Sequence, residues 1–145
     1  MTIVASSLIA GSAMADYTGL SFEGVANVQD DTWTARIYAD FSAETDQLNA
    51  VFGDPDDMLT ISSNGAGFYQ NAVGASTSAG INPALIPLFP SLALDSWVTI
   101  GLEDQTNNSM LNIGIDWSNF ESGNDISTDN GAWFATPADA QVLAG

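Results

Sequence analysis

The stretch from Asp95 to Trp117, DSWVTIGLEDQTNNSMLNIGIDW, constrains the fold more than any other part of the chain. Val98, Ile100 and Leu102 alternate onto one face, and Leu111, Ile113, Ile115 and Trp117 do the same after a polar centre. A period of two marks a half-buried strand. The intervening Glu-Asp-Gln-Thr-Asn-Asn-Ser run tolerates turn geometry and bonds its own backbone. The pattern predicts a β-hairpin with Trp117 on its core face. Glu103 and Asp104 open the turn, and Asp95 bonds backbone at the strand start.

Other segments repeat the theme. Tyr17 to Val28 reads as a strand weakened or bulged at Gly24, with Asp30-Asp31 as the following turn. Thr32 to Phe41 places Trp33, Ala35, Ile37, Ala39 and Phe41 on one face, with Thr34, Arg36, Tyr38 and Asp40 on a solvated one. Further strands are expected over Gln47–Phe52, Met58–Ser62 and Ala132–Thr136. Ser63 to Gly80 and Ser118 to Asn130 are rich in loop-forming residues. Asn82-Pro83 and Thr136-Pro137 look like helix caps followed by proline at the first helical position, so short helical turns should follow each. Six or seven short strands between turns predict an all-β domain, an antiparallel β-sandwich or jelly-roll-like fold with one or two short helical turns.

Length and charge narrow the function classes. With 145 residues the chain suits one domain. Eighteen acids face a single base, Arg36, for a formal net charge of −17. No basic footprint exists to neutralise phosphates, which disfavours nucleic acid and anionic membrane surfaces. Histidine, cysteine and lysine are absent. A Ser-His-Asp triad, a thiolate nucleophile, a Schiff base and a histidine-ligated zinc site therefore cannot be built. Carboxylate chemistry of the glycosidase type survives as an alternative. However, Glu23, Glu44, Glu103 and Glu121 are the only glutamates, and none lies in a recognisable catalytic context. The expectation is a protein that is not an enzyme.

Two binding chemistries have candidates. In Gly53-Asp54-Pro55-Asp56-Asp57, the carboxylates of Asp54, Asp56 and Asp57 offer hard oxygen ligands suited to calcium. Asp125, Asp129 and Asn130 form a looser second set. The competing reading is that Asp, Asn and Gly are simply turn formers. A carbohydrate-binding platform would draw on exposed rings, for which Trp97, Tyr38 and Tyr69 are the candidates; strand phase assigns Trp33 and Trp117 to the core.

Residues 1–15, MTIVASSLIAGSAMA, combine a short apolar segment with Ala13-Met14-Ala15 before Asp16, the pattern of a signal peptide and its cleavage site. The basic leader region is missing, as it would be if Met1 were an internal start. The run is too short to span a bilayer. Residues 16–145 are then one β-sandwich domain, expected to be incomplete at its C-terminus because the chain stops soon after a helical start.

The phrases DQLNAVFGD (46–54), GINPAL (80–85), FPSLALDSWVTIG (89–101) and DNGAWFATP (129–137) resemble a family of uncharacterised exported proteins of aquatic bacteria. Members often carry a PEP-CTERM-type sorting anchor or a dockerin-like C-terminal segment. The resemblance covers most of residues 17–145 and implies secretion or surface display; it carries over no catalytic or binding residue. Together these readings predict an exported cell-surface or extracellular-matrix domain, with calcium as a candidate stabiliser. Extracellular polysaccharide or surface-layer components are its candidate partners.

Overall fold

The computed structural model describes residues 16–27 and 32–143. The expected signal peptide and the Asp30-Asp31 turn lie outside these residues. Within them the regular structure is mostly antiparallel strand, joined by short 3-10 turns and one four-residue helix. The strands are β1 (Tyr17–Ala26), β2 (Trp33–Phe41), β3 (Ala50–Gly53), β4 (Leu59–Ile61), β5 (Leu111–Ile113), β6 (Ile126–Thr128) and β7 (Gly131–Phe134). They form a β1–β2 ribbon, a three-stranded sheet in the order β3-β7-β5, and a β4–β6 pair.

Non-local pairing overturns the hairpin expected over 95–117. Leu111 and Ile113 pair with Phe134 and Ala132 of β7, and 98–102 forms no ladder with them. Val98 makes only a parallel bridge to Thr77. The peptide groups of 98–102 find other partners. Gln141 Nε2 donates to the Ile100 carbonyl at 2.9 Å, and Trp133 Nε1 to the Thr99 carbonyl at 3.2 Å. The Thr99 hydroxyl bonds the Leu102 carbonyl. Side chains from the C-terminal end thus replace the partner strand. Gly101 adopts φ +74° at this bend, packed against the Gln141 carbonyl, where a Cβ has no room.

One core lies beneath β3–β7 and β4–β6. Val98, Ile100, Met110, Phe120, Ile126, Trp133, Ala135 and Val142 are buried, with Val51, Leu59, Ile61 and Trp117 packed against them. Trp117 therefore packs on the core as expected, and Trp133 lies within it. Leu111 and Ile113 face outward, against expectation. Trp33 is a clearer correction: it is 69% exposed. Its strand face has the predicted alternation, but among the described residues β1 and β2 pair only with each other and the large side chains of that face stay exposed. The Trp33 ring lies across Gly24, where a Cβ would stand 2.5 Å from its Cζ3. The ribbon's irregularity falls at Tyr17–Gly19, and Gly24 stays in register opposite Ala35.

Local signals fared better. Asn82 accepts a bond from the Ala84 amide at 3.0 Å and Pro83 begins a 3-10 turn. The C-terminal turn begins later than expected: Asp139 caps Ala140–Val142, and Thr136 only closes the preceding turn through its carbonyl. The supposed loop at 118–130 contains a helical turn, Ser118–Glu121 (α1), and β6.

Candidate functional site

A polar cleft lies where α1 meets β6. Asp116, Ser118, Asn119, Ser122, Asp125 and Ser127 line a volume of about 530 Å³. A second recess of about 370 Å³ shares Asn119 and Asp125 and is edged by Ser63, Gly65, Gly67 and Gly123. Aromatic packing sets the floor. Phe120 is buried, meets Phe68 edge-on at 5.2 Å between ring centroids, and lies 6.2 Å from Trp117. That anchors α1 and holds its polar residues outward.

Asp125 ties the two walls together. Its Oδ2 accepts from the Ser62 hydroxyl at 2.6 Å, and its Oδ1 from the Ser63 amide at 3.0 Å. Its backbone carbonyl accepts from Asn119 Nδ2 at 3.1 Å. Across the cleft, Asp116 Oδ1 accepts both the amide and the hydroxyl of Ser118, at 3.0 and 2.6 Å. Hydrogen bonding to the charged form favours it, so the Ser62 hydroxyl holds Asp125, and the Ser118 hydroxyl holds Asp116, below the usual aspartate range. A glycosidase needs one of its two carboxyls raised so that it carries a proton at working pH. This pair is tuned the other way. The cleft can accept hydrogen bonds from a hydroxylated or cationic ligand.

Asp95 is the acid whose pKa is pushed up, because burial disfavours its charge. It bonds the Ser96 backbone at the strand start, as expected, and also reaches further. Its two oxygens accept the amides of Asn71 at 2.7 Å and Ala75 at 3.0 Å, from the long loop. Gly74 packs directly on the carboxylate, leaving no space for a substrate atom there. Asp95 is a loop clamp.

The residues singled out from sequence do not converge. Asp54 Oδ1 accepts the Asp56 and Asp57 amides at 2.9 and 2.8 Å, so this carboxylate caps its own turn while Asp56 and Asp57 project into solvent. Asp125 and Asp129 sit at opposite ends of β6. Among the described residues, no group of three or more acids is gathered at metal-binding spacing. Tyr38 is 43% exposed on the polar face of β2, and its hydroxyl donates to Glu23 at 3.3 Å. Tyr69 is 41% exposed in the long loop, beside the Asn71 amide at 3.4 Å. Trp97 is half-buried. None of these three rings stacks on another among the described residues. Glu103 holds Arg36, the chain's one base, at 2.9 Å, and Asp104 caps Thr106 at 2.7 Å.

Sequence reasoning missed the Asp116–Asp125 cleft. Asp116-Trp117-Ser118 was a usable signal, because an acid two residues before a serine is a compact self-capping unit. No family model matches this chain, and no curated protein or solved structure matches it either.

Proposed function

We propose that this chain is an exported, non-enzymatic domain displayed at the cell surface or in the extracellular matrix, built as a β-sandwich. The observation that carries the reading is how its carboxylates are used. Asp54, Asp95, Asp104, Asp116, Asp125 and Asp139 each hold backbone amides of a turn or loop, and Asp116, Asp125 and Asp139 also hold serine hydroxyls. Used this way, the acids staple loops. An excess of them over bases suits a salty, cation-rich medium, where screening relieves self-repulsion. Support for a sandwich comes from the sharing of one core by β3–β7 and β4–β6.

Calcium belongs to this reading at the Asp54–Asp57 turn, where Asp56 and Asp57 leave their carboxylates in solvent. The partners would be extracellular polysaccharide or surface-layer components, met by exposed loops. Export is tested by expressing the chain with its own N-terminus in a bacterial host and sequencing the N-terminus of the product outside the cytoplasm. The expected product begins at Asp16. Uncleaved protein retained in the cytoplasm would count against the reading.

A further inference from the structure

The β1–β2 ribbon carries an apolar face that the rest of the described chain leaves open. Strand register puts Leu20 opposite Ala39, Phe22 opposite Ile37, Gly24 opposite Ala35 and Ala26 opposite Trp33, so all eight share one face. Leu20, Phe22, Trp33 and Ile37 are each more than 60% exposed. A two-stranded ribbon with an uncovered apolar face is marginal in water, and stacking on another sheet is the usual remedy. The opposite face carries Glu23, Arg36, Tyr38 and Asp40, and Arg36 reaches Glu103 on the body of the protein at 2.9 Å. The apolar face therefore points away from the body side.

We infer that this face is the interface for a second copy of the same chain, the two ribbons stacking face to face around a two-fold axis. Charge selects this occupant. Each copy carries −17, yet none of the eight residues on the face is charged. Two copies can meet there without setting carboxylate against carboxylate, whereas a basic partner would be drawn to the acidic loops instead. Area agrees. With Tyr17 at the end of the face, the large side chains expose on the order of 600 Å² per copy, so a closed pair buries about 1,200 Å², the lower bound for a specific interface. Such a patch lies at the top of the range that soluble monomers expose. A two-fold contact closes on itself and leaves no face to propagate. The inference goes beyond the proposed display role and does not depend on it.

Sedimentation equilibrium of the purified full chain tests it, independently of where the chain is localised. The expected mass is that of two chains, with association strengthening as sodium chloride screens the like charges. Phe22→Glu combined with Ile37→Glu should return the mass to one chain, while Val25→Glu on the opposite face should leave the dimer intact. Should the double variant fail to fold by circular dichroism, cross-linking supplies the reading. The chain has no cysteine, so Ala35→Cys treated with a short bismaleimide should give a linked dimer, and Val25→Cys should not. A wild-type monomer at all concentrations overturns the inference, whether the Ala35→Cys thiol labels freely or is shielded by the chain's own segments. Equal cross-linking at both positions, or open-ended assemblies, overturns it as well.

Discussion

Asp95 shows what a single buried carboxylate does here. It bridges the amides of Asn71 and Ala75, and so fixes the long loop to the segment that enters the core at Val98. Asp95→Ala strands both donors and should cost about 2 kcal/mol, or roughly 5 °C in melting temperature. Burial raises its folded pKa above the ordinary aspartate value. The native state then binds a proton that the unfolded chain has released, so this group's contribution falls as pH rises from the unfolded value through the folded one. The stability difference between wild type and Asp95→Asn, measured by urea unfolding, should accordingly shift in favour of wild type on acidification toward pH 4. An unchanged difference would show that burial does not govern this group. Caps of this kind were legible where donor and acceptor lie within three positions, as at Asn82, Asp54 and Asp104. At Asp95 only the neighbouring Ser96 contact was, because its loop partners lie 24 and 20 residues away.

Between elements, the decisive contact is a pair of glycines. Gly53 of β3 stands opposite Gly131 of β7, and Gly53 packs against the Leu59–Thr128 pair joining β4 to β6. A Cβ at Gly53 would meet the Leu59 amide nitrogen at 2.6 Å and overlap the Thr128 carbonyl, both of them backbone atoms. Gly53→Ala should therefore destabilise by about 1–3 kcal/mol through overpacking, read as a lowered urea midpoint. A neutral substitution would mean the two sheets are not held this closely. Strand existence was largely legible from period-two alternation, at Trp33–Phe41 for example. Partners were not: alternation names the residues that share a face without naming what lies opposite. That is why Leu111 was assigned to Leu102's hairpin when it belongs beside Phe134, and why Trp33 was assigned to a core that never reaches it.

Charge governs the folded chain as a unit. With −17 and a single exposed ion pair, Arg36–Glu103, among the described residues, like-charge repulsion has almost no internal relief, and one surface pair contributes little. Melting temperature should rise steadily with sodium chloride. At constant ionic strength, millimolar calcium should raise it further, and Asp56→Asn with Asp57→Asn should remove that increment; no increment in wild type would discard calcium. The acid excess was plain in the sequence, but the cleft at Asp116 and Asp125 was not, since only the packing of Phe120 on Phe68 gathers it. The β3–β7–β5 order has its own consequence in time. The middle strand is the last of the seven to leave the ribosome, so Ala50–Gly53 and Leu111–Ile113 wait for Gly131–Phe134. Until it arrives, the β1–β2 ribbon, the β4–β6 pair and local turns can form but the three-stranded sheet cannot, and closing so long a loop is slow. A chain ordered this way keeps its three-stranded sheet open until β7 has been made.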